Sequence, residues 1–280
     1  MMGTEKQTTN IPEHKLLSVS IEDVCLRPYA YAVKPFYIMD NLYYIGNSWV
    51  GVYLVDTHHG LLLIDTAMAQ NVYLTMENIR ILGFDPHDIK WILLSHGHYD
   101  HCGGAADISN FSGAKIFLGK EDLFFFQGRD DLIAYPFGYF QPFKVSDTYI
   151  DGALMKFGDF EITAVHTPGH TPGCYSFFFN LRENGKNYRA AMHGGLGVNT
   201  LTPKYLKEHN LPFSLQQDYL NNLKQMRKEK VDVPLGSHTN HGDMLGKASR
   251  IGQAVNPFID PDGFSRVIDS RLADFEYFCK

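Results

Sequence analysis

The segment Ser95-His96-Gly97-His98-Tyr99-Asp100-His101 sets four potential metal ligands within six residues. It follows Trp91-Ile92-Leu93-Leu94, an apolar run short enough to be a buried strand. On an extended backbone residues i and i+2 share a face, so His96 and His98 can grip one ion together. Asp100 and His101 lie just beyond, where the chain must turn, and can face a second ion. Imidazole suits zinc, and one carboxylate among imidazoles fits a hydrolytic metal centre better than a redox one. Gly103-Gly104 follows at once and lets backbone pack close behind the ligands.

Further ligands stand downstream. His170 sits between two Thr-Pro-Gly units, Thr167-Pro168-Gly169 and Thr171-Pro172-Gly173, on a rigid loop after the strand 160–165. It can complete a three-histidine site with His96 and His98. His166 is the rival in the same stretch and reads as the last residue of the strand. His238, in Leu235-Gly236-Ser237-His238-Thr239-Asn240-His241, opens a loop after an apolar strand and can complete a second site with Asp100 and His101. His241 is its competitor. Two ions, each with three protein ligands and an open position, make the arrangement of catalytic zinc rather than structural zinc. Asp100 and His238 are the candidate catalytic residues, Asp100 because it can bind metal and also orient the attacking water. Cys102 abuts the motif and reads as a small packed hydrophobe.

The elements that must position these groups read as strands clustered in hairpins, alternating with helices. Strands are expected over 36–45, 50–56 and 61–64, then a helix over 72–82 stopped by Gly83. After the motif come a helix at 105–111, a strand at 114–118, a helix at 120–127 and an irregular aromatic stretch at 128–147. Short strands resume at Tyr149, Leu154 and Phe160. A hairpin is expected across 174–180 and 188–192, turning at Glu183-Asn184-Gly185-Lys186. A helix at 215–227, a strand at 231–235 and a mostly helical 261–278 close the chain. Two mixed sheets covered by helices suit this order better than a doubly wound parallel sheet. Residues 1–35 read as an N-terminal extension packed on a single domain of residues 36–280.

Composition narrows the partners. At 280 residues and 44% hydrophobic the chain can bury a sizeable core. A formal net charge of −6, with no basic run beyond the stretch 224–230, argues against nucleic acid. No apolar run approaches the roughly 20 residues needed to cross a bilayer. Residues 1–14 are polar and lack the apolar stretch of a signal peptide, which implies a cytoplasmic protein if Met1 is the natural start. Cys25, Cys102, Cys174 and Cys279 form neither a CxxC pair nor a disulfide framework. A small-molecule substrate is the expected partner.

With Asp65 after an apolar strand, the HxHxDH motif, His170 and His238, the chain resembles the metallo-β-lactamase superfamily. Within it, the chain is most similar to the third subclass of class B β-lactamases, through Leu63-Ile64-Asp65-Thr66, residues 82–90, the Thr-Pro-Gly-His-Thr-Pro-Gly stretch and Asn256-Pro257-Phe258-Ile259-Asp260. The resemblance implies an α+β fold, an αββα sandwich of two mixed β-sheets flanked by helices, with a two-zinc site at one sheet edge. It implies His96, His98 and His170 on one zinc, Asp100, His101 and His238 on the other, and Asp65 behind them orienting the ligand loops. The chain departs from the pattern in His193-Gly194-Gly195-Leu196-Gly197. Glycine stands where many superfamily hydrolases carry a bridging aspartate, and Gly195 and Gly197 stand where the β-lactamase subclass carries serines that help hold the drug carboxylate. Asn199 and Thr200 are candidate substitutes. His193 reads as a satisfied strand residue.

These features point to hydrolysis of an amide or ester bond by metal-activated water, with opening of β-lactam rings as the leading activity. A lactonase, esterase or amidase acting on a bulky non-drug substrate is the alternative, and a non-catalytic metal-binding protein is the alternative of another class. Phe137 and Tyr139 in the aromatic stretch, with Trp49 opposite, either overhang the site as walls for an apolar substrate or fill a secondary core.

Overall fold

The structure, a computed structural model, describes residues 19–137 and 140–279. Seven strands form the first sheet in chain order: β1 (Phe36–Met39), β2 (Leu42–Tyr44), β3 (Tyr53–Asp56), β4 (Leu61–Ile64), β5 (Ile89–Leu93), β6 (Lys115–Leu118) and β7 (Asp147–Thr148). Five more form the second: β8 (Leu154–Phe157), β9 (Phe160–His166), β10 (Tyr175–Glu183), β11 (Lys186–Met192) and β12 (Val233–Leu235), in the order β12-β11-β10-β9-β8. The first sheet is antiparallel from β1 to β4 and parallel from β4 to β7. The second is antiparallel except for the β11–β12 pair. Asn184-Gly185 turns β10 into β11 with both residues at positive φ, 51° and 77°, the backbone that a two-residue hairpin with native twist requires.

Side-chain alternation assigns the layers. In β4, Leu61 and Leu63 face the helices Val72–Ile81 and Ala105–Ser112, whereas Leu62 and Ile64 face the other sheet. In β10, Tyr175, Phe177, Phe179 and Leu181 enter the core between the sheets, while Phe178 packs outward toward the helices Ser214–Met226 and Gly263–Phe278. The result is an αββα sandwich of two mixed sheets. Burying each such apolar side chain contributes about 1.5–3 kcal/mol relative to exposure.

Several boundaries differ from the sequence reading. Residues 120–126 form a 3-10 helix, the short strand expected at Tyr149 is β7 at 147–148, and the strand expected over 231–235 begins at Val233. Short helices at Ile21–Leu26, Pro203–Glu208 and Met244–Ala248 had no periodicity long enough to show. In the N-terminal stretch, Val24 and Cys25 are buried in the core of the first sheet; residues 1–18 lie outside the described residues. No described helix is long and apolar enough to cross a membrane. The directions of β4, β5, β9, β11 and β12 bring five loops to one edge of the sandwich. These carry Asp65, the HxHxDH motif, His170, the glycine loop at 194–197 and His238.

Candidate metal centre

Two groups of donor atoms converge at this edge. Nδ1 of His98 lies 3.0 Å from Nε2 of His170, and the donor atoms of His96, His98 and His170 all fall within 4.8 Å of one another. In the second group, His101 Nε2 is 3.3 Å from His238 Nε2 and 3.5 Å from Asp100 Oδ2, and His238 Nε2 is 3.4 Å from Asp100 Oδ2. A tetrahedral ion with bonds of about 2.0–2.1 Å sets its ligands roughly 3.3–3.4 Å apart, the spacing of this second group. His96 lies between the groups, since its donor atom is also within 4.8 Å of those of Asp100 and His101.

In three of the histidines the inward nitrogen is prepared by what holds the other ring nitrogen. Asp65, fully buried and held at φ 60°, accepts hydrogen bonds from the Ser95 amide (2.7 Å), the Ser95 hydroxyl (2.8 Å) and His101 Nδ1 (2.8 Å). The Ser95 oxygen can in turn accept from His96 Nδ1 at 3.0 Å. His170 Nδ1 donates to the Gly197 carbonyl at 2.8 Å. These partners place the ring proton on Nδ1 of three histidines and leave Nε2 with a lone pair, the form that binds a metal. His96 Nε2 is buried without a hydrogen-bond partner. An orphaned nitrogen of this kind is costly unless something occupies its lone pair, so the donor set fits a divalent cation.

The electrostatics agree. Burial, then the neighbouring histidines, hold His96 and His98 well below the usual imidazole range. Burial pushes His170 and His238 down to about 4. For His101 burial works in the same direction, but Asp100 and Asp65 outweigh it and raise the ring. Burial opposes charge on Asp100 as well, and the surrounding histidines, His101 first, nevertheless hold the carboxyl low. Four of the five imidazoles are thus held neutral beside an ionised carboxylate, and these donors can take metal without prior loss of a proton.

The competing histidines stand elsewhere. His166 Nε2 lies 2.8 Å from the Pro172 carbonyl. His193 is buried with Nε2 3.3 Å from Asn222 Oδ1. The His241 ring lies 5.4 Å from that of His238, its Nδ1 facing the Ser237 hydroxyl at 3.4 Å. Cys102 is buried against the Gly97 carbonyl.

Asp122 carries no signal in the sequence. This fully buried carboxylate accepts from the Gly97 amide (2.9 Å), the Thr171 hydroxyl (2.8 Å) and the Gly173 amide (2.6 Å). Gly97 separates His96 from His98, and Thr171 and Gly173 follow His170, so one side chain ties together both loops of the first group. Burial pushes its carboxyl up to about 6 against the pull of those three donors.

A cavity of about 580 Å³ lies over the two groups. Trp49 lines it, its ring 5.2 Å from that of His238, and so does the exposed Asn199. Thr200 also lines it, but its hydroxyl is committed to the His170 carbonyl at 2.7 Å. Phe137, expected as a wall, is 48% exposed and absent from the lining. The aromatic stretch instead packs ring on ring through Tyr99, Phe126, Tyr135, Phe140 and Phe143, a secondary core, and among its described residues only Ala134 reaches the cavity. Tyr139 lies outside the described residues.

The glycine loop is closed to side chains. A Cβ on Gly194 would stand 2.0 Å from the Tyr175 carbonyl oxygen, one on Gly195 would stand 2.6 Å from His170 Cδ2, and one on Gly197 would stand 2.7 Å from Asn199 Oδ1 and 3.0 Å from His170 Cε1. A side chain at Gly194 meets backbone, and serines at Gly195 and Gly197 would require the His170 ring and the end of Asn199 to shift.

Comparison with known proteins agrees with this fold. The family model of the metallo-beta-lactamase superfamily matches residues 50–183. The FEZ-1 metallo-beta-lactamase from Legionella gormanii is 33% identical, with 88% of this chain and 95% of that one covered and a TM-score of 0.81. BJP-1, a subclass B3 metallo-beta-lactamase of Bradyrhizobium japonicum, is 29% identical, with 91% and 96% covered and a TM-score of 0.81. The chain is also 32% identical over 114 residues, 38% of this chain and 41% of the other, to the N-acyl homoserine lactonase AttM of Agrobacterium fabrum. It spans about half the length of the curated relatives it matches first. The chain belongs to the metallo-β-lactamase superfamily. Within that superfamily its structural neighbours are subclass B3 β-lactamases.

Proposed function

We propose that this protein is a zinc-dependent hydrolase that cleaves a cyclic amide or ester, with β-lactams as the leading substrates. His96, His98 and His170 would hold one zinc, and Asp100, His101 and His238 the other. The observation that carries this reading is the convergence of two three-donor groups, in which Asp65, Ser95 and the Gly197 carbonyl hold Nδ1 of His101, His96 and His170 and turn their Nε2 inward. Bound zinc supplies a water that ionises near neutral pH and a Lewis acid for the substrate carbonyl. The chain does the rest. Asp100, about one-seventh exposed at the floor of the cavity, presents a carboxylate that orients the attacking water and takes up its proton. Trp49 and the 194–198 backbone wall the substrate and exclude bulk solvent.

A second reading, an esterase or lactonase with a substrate lacking the drug carboxylate, is favoured by one observation: Gly195 and Gly197 stand in place of the serines that would hold that carboxylate, packed against the His170 ring. Metal analysis joined to a hydrolysis panel of nitrocefin, N-acyl homoserine lactones and simple esters on one preparation decides between them. About two zinc per chain is expected, with nitrocefin turnover lost on chelation and in His98→Ala. Full activity in His98→Ala refutes the mechanism; turnover confined to lactones or esters selects the second reading.

A further inference from the structure

Among the described residues lining the metal cavity, Arg271 is the one Lys or Arg. It projects from the helix Gly263–Phe278. With Asn240 and His241 it also lines an adjoining cavity of about 340 Å³, so these three residues form the border between the two spaces. The adjoining cavity carries Lys247, Arg250 and Arg266 besides Arg271, against the carboxylates Asp243 and Asp260.

The carboxylates do not saturate these cations. Asp260 is shared, accepting two bonds from Arg266 at 2.7 Å while pairing with the nearly buried Lys247 amine at 3.0 Å. Asp243 reaches Arg250 only at 4.0 Å. Arg271 pairs with Asp274 at 2.9 Å and donates to the Ser270 hydroxyl at 3.2 Å, while its Nε is buried with no hydrogen-bond partner among the described residues. Across the two linings four cations meet four carboxylates, of which Asp100 is turned to His101 and His238 and away from this pairing. A guanidinium has five donors in a planar fork that matches a carboxylate. The glycine loop packs against the same C-terminal helix and offers no side chain at Gly194, Gly195 or Gly197 that could do this work.

We propose that Arg271, flanked by Asn240 and His241, forms an anion subsite beside the metal centre that selects substrates bearing a carboxylate. The scissile carbonyl then lies over the two donor groups, and the carboxylate lies at the border with the adjoining cavity, where Arg271, Asn240 and His241 stand. The use of this subsite rests on the hydrolase reading above, but its existence can be tested without turnover.

The test is calorimetric binding of phthalate and of its neutral diamide, phthalamide, to the metal-loaded protein. The phthalate-to-phthalamide affinity ratio should fall roughly 10- to 100-fold in Arg271→Gln, the scale of one lost charge-assisted bond. It should fall less in Arg271→Lys, which keeps the charge but not the fork. Carboxylate bound directly to metal contributes equally in parent and variants, so a ratio within twofold of the parent in both variants overturns the proposal. If Arg271→Gln does not fold, the Arg271→Lys ratio decides alone. A fallen ratio in a protein that hydrolyses nothing on the panel leaves the subsite standing and refutes the hydrolase reading. Hydrolysis with an unaltered ratio does the converse.

Discussion

Placing serine at Gly195, where the β-lactamase subclass carries one, should damage the metal centre rather than improve drug binding. A Cβ built on Gly195 meets three atoms of one ring, His170 Cδ2 at 2.6 Å, Cβ at 2.9 Å and Cγ at 3.0 Å. Ordinary contact begins near 3.4 Å, so the ring or the loop must retreat by about 0.8 Å. The ring is held on both sides, by the Gly197 carbonyl at Nδ1 and by the approach of His98 at Nε2. Its retreat therefore costs the first bond or opens the donor group. Overpacking of this kind costs about 1–3 kcal/mol. If about 2 kcal/mol of it is felt at the metal site, affinity falls roughly 30-fold. Competition with a zinc chelator at fixed pH reads that affinity, and nitrocefin kinetics on the same preparation read the consequence. Gly195→Ser should bind its first zinc on the order of 10- to 100-fold more weakly and show a lower kcat/KM. A variant with parental zinc affinity and a lower KM for nitrocefin would refute the reasoning, since it would show that the loop yields and the serine reaches substrate.

Two further outcomes follow from buried titratable groups. Asp122→Asn leaves one of the Gly97 and Gly173 amides facing an N–H instead of an oxygen. Because burial already pushes the Asp122 carboxyl up to about 6, removing its charge offsets much of that loss. Zinc affinity should accordingly fall about 10-fold with little change in metal-free stability at pH 8; parental affinity by chelator competition would exclude the loop-tying role. His193 is pushed down to about 4 by burial, opposed in part by Asn222, whereas an unfolded histidine titrates near 6.5. Its depressed value means that its contribution is complete above pH 6.5 and is lost as pH falls toward 4, a loss of up to about 3 kcal/mol. In His193→Asn, urea unfolding across pH 4–7 should show a pH dependence shallower by that amount, and curves parallel to the parent's would refute the assignment.

What could be read in the sequence, and what could not, follows from how far apart the interacting residues lie. The HxHxDH motif is legible because strand and turn geometry place its members within one short segment. Asn184-Gly185 is legible because a two-residue hairpin needs positive φ at both positions. Asp122 is not, because its three partners lie 25, 49 and 51 residues away and nothing in Lys120-Glu121-Asp122-Leu123 distinguishes it from a solvated helix start. The aromatic stretch is ambiguous for a similar reason: rings at 135, 140 and 143 suit a cavity wall or a core equally until Tyr99 and Phe126 are brought against them. The glycines at 194, 195 and 197 mislead most. In sequence they are a missing aspartate and two missing serines, a loss of function. In the structure His170 and the Tyr175 carbonyl occupy the space those side chains would need. The chain has therefore exchanged polar groups on the 194–197 wall for closer backbone packing around a ligand loop. Recognition of a substrate carboxylate then falls to the proposed Arg271 subsite on the C-terminal helix, at the border with the adjoining cavity.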